Sequence, residues 1–339
     1  MKKTVLQILR VAGFLSLGIL LLYFAFRGFA FNELANTLRG ANFWWIGLSL
    51  FFAFLSFFSR ARRWVLLIEP LGFRPSFKNT YHSLMVGYLA NFALPRLGEV
   101  TRCVTLGKRE KIPVDSLIGT VIIERVTDLA MLMMIMVVLI VSWAEKFGVF
   151  FRDNIFDPMH EKITATFGGL FIFWLLVTGA FALVVTLLYL FRMPLGRIGI
   201  VRKIAEFLKG ILDGLKTIYR MKRKWEFLFH SVLIWFLYIM MTWVVVFSVK
   251  ETSSLTFVDG IFLLVIGGLG MSAPVTAGFG AYHWIVSRGL VFVYGLTLEQ
   301  GGAFAILSHE PSSLFTILLG AASYLLLMVS HQKKSPETT

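Results

Sequence analysis

An apolar stretch over residues 80–106 is interrupted near its middle by proline, glycine and three charged side chains. The interruption reads Leu94-Pro95-Arg96-Leu97-Gly98-Glu99, and Arg102 follows one helical turn later. Hydrocarbon cannot satisfy the polar groups of an irregular backbone, so such a segment must be buried in protein or line a cavity. Ionised side chains at that depth must also be paired or hydrated. The stretch therefore predicts a polar site inside a membrane protein.

The composition also indicates a polytopic membrane protein with short loops. Of the 339 residues, 57% are hydrophobic and only 15% are charged, and the mean hydropathy is +0.77. A single cysteine, Cys103, excludes an internal disulfide. The net charge of +14 could indicate a nucleic-acid partner, but its distribution along the chain favours membrane orientation instead. No nucleic-acid partner is therefore expected.

The fold class predicted from the apolar runs is an all-α, polytopic helical membrane protein. A run of about 20 residues suffices to cross a bilayer. Six runs reach that length, at residues 8–26, 42–59, 115–142, 164–191, 225–248 and 303–330. Two more stretches, 80–106 and 257–295, are broken by proline and glycine. We predict that both are re-entrant hairpins; the alternative is two kinked spans, which would give eight spans in total.

The distribution of lysine and arginine predicts the orientation. If each broken stretch enters and leaves the membrane on the same side, most of these residues lie on one side of the membrane. They include Arg60, Arg62 and Arg63. Both termini are then cytoplasmic, and the expected location is the bacterial inner membrane. The halves 1–162 and 163–332 of this single domain would be inverted repeats, an arrangement common in transporters. A basic amphipathic helix over 196–224 is expected on the inner leaflet, as an anchor or a partner-binding element.

Three more charges lie inside the apolar run 115–142. Glu124 and Asp128 share a helix face, and Arg125 is spaced to pair with Asp128. Together with Arg96, Glu99 and Arg102, these three residues form a set of six charges whose sum is zero. This set predicts either a structural ion-pair network or a site where arginines bind the phosphate of an anionic lipid.

The second broken stretch carries a sparser set of candidate residues: Pro274, Gly278, Gly280, Tyr282, His283 and Arg288. Arg288 is predicted to pair with Glu310. No Cys/His spacing typical of a metal site, no catalytic motif and no phosphate-binding loop is recognised. We therefore predict no metal, no cofactor and no catalytic residue.

Three motifs resemble those of the flippase-like membrane family named for the lysylphosphatidylglycerol synthase transmembrane region. They are Asn91-x-x-Leu94-Pro95-x-x-Gly98-Glu99-x-x-Arg102, Glu124-Arg125-x-x-Asp128, and Pro274 with Gly278-x-Gly280. The resemblance covers most of the chain. It implies the part of multiple-peptide-resistance enzymes that moves aminoacylated phosphatidylglycerol to the outer leaflet, without their soluble aminoacyltransferase domain. Many family members have an acidic residue shortly after the last glycine, where this chain has Tyr282-His283.

The leading functional hypothesis is a translocase that moves or binds an anionic or modified phospholipid, or a lipid-linked substrate. The absence of an ATP-binding motif predicts passive or ion-coupled movement. One alternative is an integral-membrane transferase, or an accessory subunit of one, with Glu124 or Asp128 as base. A third hypothesis is a scaffold that recruits cytosolic partners through residues 196–224. Expected partners are membrane lipids and a separate synthase or transferase. The candidate substrate-binding residues are Asn91, Pro95, Arg96, Gly98, Glu99, Arg102, Glu124, Arg125, Asp128, Pro274, Gly278, Gly280, Tyr282, His283 and Arg288.

Overall fold

The computed structural model describes residues 30–94, 96–190, 221–273 and 275–332, together with Tyr23. All regular secondary structure in these ranges is helical. The chain divides into two compact units, one made of Met1–Val138 and Thr217–Thr339 and the other of Leu139–Lys216. The larger unit contains every described candidate residue.

Eleven helices of nine or more residues lie within the described ranges. In chain order they are α1 (Phe31–Arg39), α2 (Phe43–Ile68), α3 (Phe77–Ala93), α4 (Leu97–Glu110), α5 (Val114–Ser142), α6 (Asp157–Phe167), α7 (Leu170–Leu190), α8 (Lys224–Val245), α9 (Phe257–Met271), α10 (Ala281–Tyr294) and α11 (Leu298–Gln332). Within the smaller unit, α6 ends at Gly168, whose positive φ of 79° allows the chain to turn into α7.

Four helical segments are long and apolar enough to cross a membrane: Phe43–Leu71, Val114–Ser142, Lys224–Ser248 and Leu298–Val329. The bent pair Ala144–Phe167 and Leu170–Gly179 adds a fifth if it is one span, with a bend of 68°. These helices confirm the all-α membrane fold. The predicted run 8–26 lies outside the described residues except for Tyr23. The same holds for Pro95, for Pro274 and for residues 196–220 of the predicted amphipathic helix.

The first broken stretch forms a helical hairpin of α3 and α4. At its open end, the Ser76 backbone N–H and the Asn79 side chain donate to Glu110 Oε1 at 3.2 and 2.6 Å. At its tip, the Gly98 N–H donates to Asn91 Oδ1 at 2.7 Å. With 17 and 14 residues, the two helices are about 25 and 21 Å long. Both are shorter than the roughly 30 Å of a hydrocarbon core.

The second broken stretch also forms a helical hairpin, from α9 and α10. Asp259, at the start of α9, caps that helix with Thr256 and accepts a hydrogen bond from the Tyr294 hydroxyl at 2.7 Å. Tyr294 is the last residue of α10, so the two open ends again lie together. The tip is a tight turn in which Ala277, Gly278 and Gly280 have φ of 49°, 74° and 79°.

Other helices hold the two hairpins in one body. Helix α2 packs along α8, and α11 packs against both α3 and α10, so α11 contacts one helix of each hairpin. The tip turn Thr276–Gly278 of the second hairpin also lies against α3. Between α3 and α4 the approach is close at Gly87, where a Cβ would lie 2.8 Å from the Gly98 carbonyl oxygen and 2.9 Å from Arg102 Cβ.

This close approach predicts that Gly87→Ala destabilises the protein. A methyl group there must push α4 away from α3, at a cost of about 1–3 kcal/mol. The matched control is Gly119→Ala on α5, where a Cβ has no neighbour within 4 Å, and where alanine favours the helix by up to about 1 kcal/mol. Thermal unfolding in detergent should show a lower Tm for Gly87→Ala and an unchanged or higher Tm for Gly119→Ala. Equal Tm values would contradict the tight hairpin.

Candidate functional site

Two polar stripes face each other in the larger unit, one on α2 and one on α5. The α2 stripe is spaced i, i+3, i+4, which puts its members on one helix face: Arg60, Arg63 and Trp64. The α5 stripe is spaced every four residues: Thr120, Glu124 and Asp128. At one end of this contact, the Trp64 indole N–H donates to Thr120 Oγ1 at 2.9 Å. The buried arginines of α2 therefore lie against the acidic side chains of α5.

Glu124 is the centre of the cluster. Its carboxylate is fully buried and accepts hydrogen bonds from Arg60 Nη2 and from Arg102 Nη1, each at 3.1 Å. Arg63 Nη2 lies 3.5 Å from the same carboxylate. Because Arg60 and Arg63 come from α2 and Arg102 from α4, one carboxylate on α5 joins three helices.

Asp128 forms the second anionic position, one turn further along α5. Its two oxygens lie 2.8 Å from Arg60 Nη2 and 2.7 Å from Arg63 Nη2. The other terminal nitrogen of Arg60 donates to the Tyr238 hydroxyl of α8 at 2.6 Å. The prediction that Glu124 and Asp128 share a face is confirmed. The predicted partner of Asp128 was wrong, because Arg60 and Arg63 occupy the position expected for Arg125.

Arg125 lies at the rim of the cluster. Its side chain is 43% exposed, and its guanidinium lies 3.7 Å from Glu99 Oε1 and 4.0 Å from Glu124 Oε1. Successive helix residues point about 100° apart, so Arg125 turns away from the Glu124 face and toward α4. It is the most accessible of the arginines in this ion-pair network.

Arg60 and Arg63 belong to the ionic cluster, although neither was predicted to be a candidate residue. Both were expected in a cytoplasmic segment because the apolar run appears to end at residue 59. In the structure α2 continues to Ile68, and the exposed fractions of Arg60 and Arg63 are 8% and 0%. The i, i+3 spacing could have indicated that Arg60 and Arg63 share one helix face. Arg62 lies on another face, where its side chain pairs with Glu226 at 2.8 Å.

With these two arginines, the cluster is no longer neutral. Arg60, Arg63, Arg102 and Arg125 face only three carboxylates, Glu99, Glu124 and Asp128, which leaves a surplus of one positive charge. Several buried guanidinium nitrogens also have no hydrogen-bond partner among the described residues: Arg60 Nε, Arg63 Nε and Nη1, and Arg102 Nε and Nη2. The face of the Arg102 guanidinium lies over the Trp64 ring at 4.8 Å. The cluster thus has both charge and donors left for an anion.

The tip of the first hairpin differs from the prediction at Arg96. The sequence suggested a helical ladder of Arg96, Glu99 and Arg102, but α4 begins at Leu97, and Arg96 precedes it with a left-handed φ of 62°. Its side chain is exposed, beside the first turn of the helix. Asn91 and Gly98 are brought together by the hydrogen bond described above.

The second hairpin gathers a separate group of imidazoles. Glu310 on α11 lies 3.0 Å from both His283 Nε2 and His309 Nδ1. The Tyr282 hydroxyl is 2.9 Å from Ser308 Oγ. The predicted pair of Arg288 with Glu310 was wrong, because the two histidines take the carboxylate and the Arg288 guanidinium lies over the Trp284 ring at 5.0 Å.

The helices that could span a membrane and the buried ionic cluster define an integral membrane protein. Residues 7–320 match the family described as "Lysylphosphatidylglycerol synthase TM region", and the chain belongs to that family. It is also similar to a protein of Methanocaldococcus jannaschii described as UPF0104 membrane protein MJ1595. The identity is 24% over 294 residues, which cover 80% of this chain and 81% of the relative. No solved structure matches the chain.

The geometry predicts that Glu124→Gln severely destabilises the larger unit. Removing the buried anion leaves three guanidinium groups without their shared partner, and breaking a buried ion pair typically costs about 3–5 kcal/mol. The isosteric control is Asp153→Asn, which weakens an exposed pair with Arg152 at 2.8 Å and should leave stability unchanged. Thermal unfolding of both variants in detergent tests this. A Glu124→Gln protein as stable as the wild type would contradict the structural importance of the cluster.

Proposed function

We propose that this protein moves an anionic phospholipid, or a lipid-linked phosphate, between the leaflets of the membrane. The observation that carries the proposal is the positive surplus of the ionic cluster around Glu124 and Asp128. An unbalanced charge in surroundings of low dielectric constant requires a counter-ion. In a membrane, the most abundant mobile anions are lipid head groups, whose phosphate can supply that charge.

The chemistry of the free donors suits a phosphate. A planar guanidinium binds phosphate oxygens with two parallel N–H groups, and Arg is preferred over Lys where such recognition matters. The exposed side chains of Arg96 and Arg125 offer first contacts at the rim. Inside, the buried nitrogens of Arg63 and Arg102 that have no partner among the described residues offer a second position. A head group could therefore pass from accessible to buried arginines.

The occupation of Glu124 argues for translocation over group transfer. A general base needs a free lone pair directed at its substrate. Both oxygens of Glu124 already accept hydrogen bonds from arginines, and Asp128 lies against two more guanidinium nitrogens. The carboxylates are therefore better suited to orienting the arginines than to abstracting a proton.

The hairpins support an arrangement of inverted repeats around this site. We propose that both are re-entrant, from opposite sides, in a cytoplasmic membrane with both termini in the cytoplasm. Each hairpin has its open ends together and helices shorter than a hydrocarbon core, as a re-entrant element requires. Broken helices of this kind form the substrate sites of many transporters.

Lipid movement can be measured with purified protein in liposomes that contain fluorescent phosphatidylglycerol or phosphatidylcholine. We expect phosphatidylglycerol to move faster, without chemical change. Arg125→Gln should lower its rate at least about tenfold, because a charge-assisted hydrogen bond contributes about 1.5–3 kcal/mol. Arg125 is partly exposed, so this variant should fold.

The matched control is Arg152→Gln, which removes an exposed arginine from the smaller unit and should leave the rate unchanged. An unaltered rate in Arg125→Gln would show that the cluster does not bind the moving lipid. A chemically modified lipid product would instead establish the transferase hypothesis. Absence of movement for every lipid tested would overturn the proposal.

Cysteine labelling tests the re-entrant arrangement. In a Cys103→Ser background, Lys78→Cys and Lys111→Cys at the open end of the first hairpin should react from one side of the membrane. Ser254→Cys and Thr297→Cys, at the open end of the second, should react from the other. All four positions are exposed. Reactivity of Lys78→Cys and Lys111→Cys from opposite sides would mean that the first stretch spans the membrane.

A further inference from the structure

His283, His309 and Glu310 form a compact set of metal-ligand atoms in the second hairpin and the helix beside it. His283 Nε2 and His309 Nδ1 each lie 3.0 Å from Glu310 Oε1, and all three atoms are within 4.8 Å of one another. The imidazoles are almost completely buried, whereas the Glu310 side chain is 38% exposed. This set takes no part in the arginine cluster or in the proposed lipid path.

The hydrogen bonds of His309 call for a proton or a metal ion between its Nδ1 and Glu310. Its Nε2 lies 2.9 Å from the carbonyl oxygen of Ala277, which can only accept, so Nε2 carries a hydrogen. In the neutral ring, Nδ1 then presents a lone pair. That lone pair faces Glu310 Oε1, another acceptor, at 3.0 Å. Two acceptors at this distance are held together by a proton or a metal ion between them.

The donor set and its support fit a metal ion. Two imidazoles and one carboxylate are the ligands of many zinc sites, with bonds of about 2.0–2.2 Å. Tetrahedral ligands at that bond length are about 3.3 Å apart. The two nitrogen–oxygen separations here are 3.0 Å each, and the two nitrogens lie within 4.8 Å of one another, so a bound ion would have to draw them slightly closer. A metal-bound histidine also commonly donates its other N–H to a backbone carbonyl. His309 makes that contact with Ala277, so the support around the ligand is already present.

We propose that His283 Nε2, His309 Nδ1 and Glu310 Oε1 bind a divalent transition-metal ion of the zinc class. Three protein ligands leave a fourth position for water or an anionic oxygen. The partly exposed carboxylate of Glu310 provides the route of entry. Because the carbonyl that supports His309 belongs to Ala277, whose φ is 49°, the ion also ties α11 to the strained tip of the second hairpin.

Metal binding to the tag-free, full-length protein tests this proposal. After removal of metal with a chelator, the protein should take up about one equivalent of Zn²⁺ by elemental analysis. Titration with Co²⁺ should produce the visible absorption of a tetrahedral complex. His309→Ala, His283→Ala and Glu310→Gln should each bind at least about tenfold more weakly. Glu310→Gln preserves side-chain volume, so it remains informative if a histidine variant does not fold.

The control is His230→Ala, which removes a half-buried histidine that contacts Ser59 at 2.9 Å, away from this group. It should bind metal like the wild type. Wild-type protein that takes up neither Zn²⁺ nor Co²⁺ would overturn the proposal, since a proton would then bridge His309 and Glu310. Equal loss of binding in His230→Ala and His309→Ala would also overturn it. Neither result depends on lipid movement.

Discussion

The larger unit depends on the burial of the Glu124 carboxylate among guanidinium groups from two other helices. Desolvating these charges costs about as much as their attraction returns, so such a cluster contributes more to specificity than to net stability. The cluster specifies the rotation of each helix about its own axis. Helices α2, α4 and α5 must present Arg60, Arg102 and Glu124 to the same point. Apolar contacts alone specify the rotation of a helix less sharply than these directional ion pairs do.

Both hairpins are pairs of short helices, but they carry different chemistry. The first ends in a turn beside Arg96 and supplies Arg102 to an ionic cluster with a positive surplus. The second ends in a turn whose Ala277 carbonyl is held by His309, next to Glu310. In the roles proposed above, the first hairpin contributes to an anion site and the second to a cation site. If both descend from one repeated element, the side chains at their tips have diverged.

The sequence predicted most of the architecture because run length and interruption reflect local physics. The two hairpins were predicted from interrupted apolar runs, and the shared face of Glu124 and Asp128 was predicted from their spacing. Partners across helices could not, since they depend on how faces meet in three dimensions. Arg60 and Arg63 were missed because a charged residue appeared to end the apolar run. The contact of His283 and His309 with one carboxylate was not predicted, because only the packing of α10 against α11 brings His283 to Glu310.

The polar contacts at the open ends of the hairpins restrict how this protein can move. Glu110 fastens α4 to the start of α3, and Tyr294 fastens α10 to Asp259 at the start of α9. The two helices of each hairpin are thus connected at both ends, at one end by the turn and at the other by these hydrogen bonds. One helix cannot slide along the other without breaking the hydrogen bonds at the open end. Movement of each hairpin as one unit keeps these hydrogen bonds, whereas movement of one helix past the other gives them up.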